Sequence, residues 1–282
     1  MIRISNGFIV ADINPKGAEL ITLKKVNSEN VLWRKKDEIW NRVSPNLFPI
    51  VGRLKSDSFF LHGQQYQMMQ HGFARDCHFD VLNQEEDRVQ FILVNTIDTY
   101  LQYPFHFEFV VTYELKGACI NIIYQTTNLD QKTLPYSVGG HPGFSITGNL
   151  NEYSLNFNQS LSLNRSILEG PYYSGKSETM SINKVLPLEN SLFVNDALVF
   201  KNPPFSSVTL NHDIKGPIVT VSSENWEAIG FWTKIGAPFF CIEPWWGWAD
   251  SIHSEGDLME KAGMHLLEPN EMELVSFIIE LH

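Results

Sequence analysis

Cysteine is scarce. Cys77, Cys119 and Cys241 are odd in number and far apart in a chain of 282 residues. They supply no disulfide framework and no CxxC spacing that would mark a zinc site. Such usage fits a reducing compartment and predicts a cytoplasmic protein. Positive charge is also short, with 21 Lys+Arg against 32 Asp+Glu and a formal net charge of −11. A chain of that sign has no footprint for a phosphate backbone, which argues against nucleic acid as a partner. Anionic membrane surfaces are disfavoured for the same reason. No run approaches the roughly 18 apolar residues of a membrane-spanning helix. HExxH, GxSxG, Walker and GxGxxG motifs are all missing. Gly and Pro are scattered, so no linker, low-complexity tract or repeat divides the chain, and one domain over residues 1–282 is expected. Met1–Gly7 has no apolar leader core and reads as a strand with Ile2 and Ile4 on one face.

What the chain does have is aromatic: 19 Phe, 9 Tyr and 7 Trp. Most fall in segments of period two. Phe107 to Leu115, a Lys116-Gly117 turn and Ala118 to Tyr124 read as a hairpin. Phe79 to Leu82, Val89 to Val94, Val208 to Leu210, Ile218 to Val221 and Leu274 to Ile279 repeat the pattern. Tyr66 follows a His62-Gly63 turn. One short helix is expected near Thr96 to Gln102, ended by Pro104. The fold class is therefore all-β, a single large antiparallel sandwich of two broad sheets with few short helices.

Four segments break the strand pattern and join polar groups to Gly and Pro. They are Asn46 to Leu54, His71 to Asp76, Pro135 to Phe144 and Cys241 to Trp248. Gly allows positive φ and close approach, and Pro fixes φ. That combination is costly if it serves packing alone. His141 stands between Gly140 and Pro142. Glu243 ends an apolar run, where a carboxylate needs either a partner, such as an arginine, or a task. His71, Arg75 and Arg53 could equally serve turn capping and surface ion pairs. Trp245 and Trp246 must face opposite ways in a strand, so at most one shares the face of Glu243. The rings nearest these segments, Trp245, Trp246, Trp248, Phe73 and Phe144, are candidates for a cleft wall.

Taken together and in order, Phe48-Pro49-Ile50-Val51-Gly52-Arg53, His71-Gly72-Phe73-Ala74-Arg75, Gly139-Gly140-His141-Pro142-Gly143-Phe144 and Glu243-Pro244-Trp245 resemble the aldose 1-epimerase (galactose mutarotase-like) family, and within it the LacX-like branch. The resemblance spans essentially the whole chain. It implies a β-supersandwich with an open carbohydrate cleft and interconversion of the α and β anomers of an aldose. It implies Glu243 and His141 as the catalytic pair, with His71, Arg53 and, more loosely, Asp196 contacting the sugar; Asn195 is a rival for the last place. The run His141-Pro142-Gly143-Phe144 departs from the His-Thr-Tyr-Phe of ordinary galactose mutarotases. Arg75 stands where the branch that epimerises hexose 6-phosphates places a phosphate-binding arginine. The expected partner is a small-molecule sugar or sugar phosphate, in a monomer or homodimer. Alternatives are a hexose 6-phosphate 1-epimerase and a non-catalytic sugar-binding protein.

Anomer exchange needs one group to take the C1 hydroxyl proton and another to protonate the ring oxygen. Free pKa values of roughly 4.3 for Glu and 6.5 for His suit a carboxylate base, Glu243, and an imidazolium acid, His141. No metal and no cofactor are expected, because acid–base chemistry needs neither.

Overall fold

The computed structural model describes residues 1–282. Its frame is two antiparallel sheets, one of nine strands and one of eight. The expected hairpin forms the middle of the nine-stranded sheet, with strands Phe107–Lys116 and Cys119–Asn128 turning at Gly117. Along Cys119–Asn128 the residues alternate strictly between half-buried and buried. Ile120, Ile122 and Tyr124 thus fill one face while Asn121, Ile123 and Gln125 lie on the other, as period two requires. The strand Met272–Leu281 pairs with it through Cys119 to Thr127 and adds Val275, Phe277 and Ile279 to the same face. The helix spans Ile97–Gln102, capped by Thr96, whose side chain accepts from the Thr99 N–H.

The sheets pack face to face. One cluster of 64 buried apolar residues, from Ile4 to Leu281, draws on both. Tyr124 of the nine-stranded sheet meets Trp246 of the eight-stranded sheet with ring centres 6.4 Å apart. An N-terminal three-stranded sheet, beginning with Ile2–Ser5, and two short two-stranded pairings complete the architecture. No helix is long and apolar enough to cross a membrane.

Two elements differ from expectation. The predicted Phe79–Leu82 strand begins one residue later, at Asp80, because the Phe79 side chain turns into the core and its N–H donates to Pro15. The long hairpin of Leu161–Glu169 and Tyr172–Ile182 is absent from the sequence reading. Its second strand is mostly exposed and polar, so no hydrophobic alternation marks it.

Candidate active site

The strand Phe239–Trp246 lies inside the eight-stranded sheet and is buried along its whole length. Its even-numbered residues Phe240, Ile242 and Trp246 belong to the main core. Its odd-numbered residues Cys241, Glu243 and Trp245 therefore share the opposite face. That face opens on a cavity of about 340 Å³ lined by Glu243 and Trp245.

The neighbouring strand is interrupted, and the interruption carries His141. Gly139 pairs with Trp245 on one side of the gap, and Gly143 with Cys241 on the other. One register runs through both, which sets His141 across from Glu243. The side chains meet with Nε2 of His141 3.1 Å from Oε2 of Glu243. No arginine or lysine lies within ion-pair distance of Glu243. The same gap explains Pro244 in a central strand, since the missing N–H falls opposite the stretch where pairing lapses.

The glycines before His141 are needed for space rather than for positive φ. A β-carbon on Gly139 would lie 2.6 Å from the Trp245 ring, and one on Gly140 2.7 Å from the Phe277 ring. Beneath them Asn46 is fully engaged. Its amide donates to the carbonyls of Gly17 and Ala18, both at 2.9 Å, and its oxygen accepts from the Tyr124 hydroxyl at 2.8 Å.

His71 reaches the same cavity from a left-handed backbone turn, with φ 66°. Its Nδ1 accepts from the Gly52 N–H at 3.1 Å. The proton of the neutral ring is thereby placed on Nε2. Burial, then the nearby His141, holds the His71 pKa well below the ordinary value. Gly52 also has positive φ, and its missing side chain lets Ala249 approach. The first segment thus positions the second.

Trp40 lies tilted over the His141 ring at 5.1 Å, while Trp232 and His71 present edges at 5.7 and 5.6 Å. Burial drives both members of the pair toward their uncharged forms. It lowers His141 to about 3, and it raises Glu243 well above the usual carboxyl range, with Asp196 adding to the rise. Burial thus disfavours the expected ion pair of imidazolium and carboxylate. Charge separation without water is the costlier state here.

The structure brings His141, Glu243, His71, Arg75 and Asp196 to one cavity. Arg75 donates from Nη2 to the Gln70 carbonyl at 2.6 Å, and its buried Nε makes no hydrogen bond, with Asp76 3.9 Å away. Burial, then Arg42, lowers its pKa to about 10. Asp196 sits at the exposed rim with φ 76°, accepting from the Ala197 N–H at 2.9 Å. Asn195 is not in the lining. Arg53 is not in the lining either, contrary to expectation. Its guanidinium turns onto Asp57, with Nε 2.6 Å from Oδ1.

Of the five rings proposed for the wall, only Trp245 lines the cavity. Trp246, Phe73 and Phe144 are core, and Trp248 lies beside Lys201 in the adjoining cavity. The other aromatic walls are Trp40, Tyr173 and Trp232. Trp232 pairs with Cys241 across the sheet and could have been found from strand register. Trp40 lies in an irregular stretch that gave no sequence signal.

Residues 1–261 match the family model described as aldose 1-epimerase. The plasmid-borne protein LacX of Lactococcus lactis subsp. lactis is 30% identical over 274 residues, covering 92% of this chain and 91% of that one. A galactose mutarotase related enzyme from Lactobacillus acidophilus superposes with a TM-score of 0.96 at 32% identity, covering 100% of this chain and 97% of that one. A galactose mutarotase-like protein from Lactobacillus casei ATCC 334 gives a TM-score of 0.94 at 28% identity, covering 100% of both chains. The strand-by-strand frame, the late glutamate facing a mid-chain histidine and these matches agree: the chain belongs to the aldose 1-epimerase family.

Proposed function

We propose that this protein interconverts the α and β anomers of a free aldose by ring opening and reclosure. The observation that carries the reading is the His141–Glu243 pair, 3.1 Å apart and facing a cavity of about 340 Å³, walled by aromatic rings. A cavity of that order suits a single small ligand.

The pair holds one proton, and moving it from Glu243 to His141 creates the reactive form. The Glu243 carboxylate takes the proton of the C1 hydroxyl while His141 gives its proton to O5. The C1–O5 bond breaks as the C1 carbonyl forms, giving the open-chain aldehyde. Glu243 is then protonated and His141 neutral, the charge state that burial favours. Rotation about C1–C2 and the reverse transfers close the ring on the other face. His71 donates from Nε2 to a sugar hydroxyl, and Arg75 and Asp196 orient others. Each proton-transfer group is expected to contribute about 10²- to 10⁴-fold.

A neutral sugar is favoured over a 6-phosphate. Arg75 is the only lysine or arginine lining the cavity, which it shares with the carboxyl of Asp196. Arg53, which would complete a phosphate clamp, is occupied by Asp57.

The test is NMR exchange or polarimetry on freshly dissolved α-aldoses and their 6-phosphates. Wild type should exceed His141→Asn and Glu243→Gln by those factors. Equal rates for all three on every substrate would leave only a sugar-binding protein.

A further inference from the structure

Cys241 takes no part in these transfers, yet it is fully buried two residues before Glu243 on the same strand face. The strand across from it carries Gly143, and a β-carbon there would lie 3.5 Å from its sulfur. The sulfur, one ring nitrogen of His141 and one carboxylate oxygen of Glu243 all lie within 4.8 Å of one another. Two of the three side chains also line the cavity, which gives an ion a way in.

We propose that Cys241, His141 and Glu243 form a zinc site whose fourth position faces the sugar cavity. One thiolate, one imidazole and one carboxylate are the ligand types zinc takes, and three protein ligands with one open position are a recurrent arrangement. Magnesium and calcium prefer all-oxygen shells, so the sulfur selects against them. With zinc–ligand bonds of about 2.0 to 2.3 Å, tetrahedral ligands sit about 3.3 to 3.6 Å apart. His141 and Glu243 already approach to 3.1 Å, and the sulfur, within 4.8 Å of both, closes the remaining distance on binding. The ion binds the lone pairs that proton transfer uses, so zinc silences the enzyme and a chelator restores it. The site rests on ligand geometry alone; the silencing rests on the proposed epimerase reading.

The experiment uses the full chain, reduced and stripped of metal, titrated with Zn²⁺ against a chromophoric chelator and separately with Co²⁺. One zinc per chain is expected, and Co²⁺ should give a thiolate charge-transfer band. Cys241→Ser should lose the band and weaken zinc by more than about 100-fold, beyond the usual cost of losing an outer-shell partner. Cys241→Ala provides a second variant should serine disturb the strand. Cys119→Ser, at a thiol in the other sheet, should bind as wild type does. No zinc uptake, or unchanged uptake in both Cys241 variants, overturns the site. In the activity arm, stoichiometric zinc should abolish aldose exchange by wild type and spare Cys241→Ala. Equal inhibition of both overturns the silencing. Zinc uptake by a metal-free protein that never exchanges anomers would uphold the site and sink the epimerase reading instead.

Discussion

His141 and Glu243 lie opposite each other across one strand register, their side chains 3.1 Å apart and almost wholly enclosed. Two groups that close behave as one titrating unit. Burial favours one shared proton in place of an ion pair.

The pH dependence follows from that shared proton. A free histidine would give an inflection near pH 6.5. Here His141 accepts a second proton for the pair only as the pH falls toward about 3. Below that the pair has no base. The enzyme-catalysed rate, after subtraction of the spontaneous rate, should be flat through pH 6.5 and fall on the acid side. An acid-side fall with its midpoint near 6.5 would mean that the ring is not buried as described.

Gly140 is a packing requirement. A β-carbon there meets the Phe277 ring at 2.7 Å and the Tyr124 hydroxyl at 3.2 Å, both in the core. Gly140→Ala should destabilise the fold by about 1–3 kcal/mol, the usual cost of overpacking. It should also lower kcat by shifting the adjacent His141. Urea unfolding and polarimetry together check both effects.

Asn46 donates to two carbonyls and accepts from Tyr124. Asn46→Ala removes these partners from buried groups, each costing about 1–3 kcal/mol when left unsatisfied. Asn46→Asp keeps the shape but presents an acceptor to acceptors. It should therefore melt no higher than the alanine variant. A calorimetric Tm for Asn46→Asp near wild type would contradict the assigned bonds.

His265 lies between two carboxylates, with Nδ1 2.8 Å from Glu273 and Nε2 3.2 Å from Glu227. Burial alone would lower its pKa, but the interactions with Glu227 and Glu273 outweigh it and hold the value at about 9. The folded state binds this proton more tightly than the unfolded chain does. Its stabilising effect is therefore complete below about pH 6.5 and is lost as the pH rises through about 9. Both carboxylates are about one-third exposed, so solvent reduces the effect. Denaturant midpoints of wild type should fall across that window, while those of His265→Gln should fall less.

Arg53 and Arg75 separate cleanly. Arg75→Ala should lower kcat/KM for free aldoses, since its side chain lines the cavity. Arg53→Ala should leave kcat/KM within about twofold and cost at most about 1 kcal/mol of stability, as for an exposed ion pair. A larger loss of kcat/KM for Arg53→Ala would restore it as a sugar contact.

The strands were legible where one face is buried and the other wet, as in Cys119–Asn128. They were illegible where both faces are polar, as in Tyr172–Ile182, because period two has no contrast there. His141 and Glu243 stood out because Gly and Pro mark the points where sheet pairing is interrupted. The place of Arg53 outside the cavity lining was not legible, because its side-chain direction depends on the turn that carries Asp57. Trp40 was invisible because its position over His141 depends on tertiary packing of an irregular stretch.

The alternation along Phe239–Trp246 sets different constraints within eight consecutive residues. Phe240, Ile242 and Trp246 answer to the main core, Glu243 and Trp245 to the cavity, and Phe239 and Cys241 to a small apolar cluster with Trp33. Trp245 answers to packing as well, since it lines the cavity and also packs a small buried cluster with Leu47, Val51, Tyr173, Val199 and Ala228, so a change there alters cavity shape and packing together. Changes at Ile242 or Trp246 would be read out first as lost protein, and a selection that scores only turnover would not tell them from changes in the cavity.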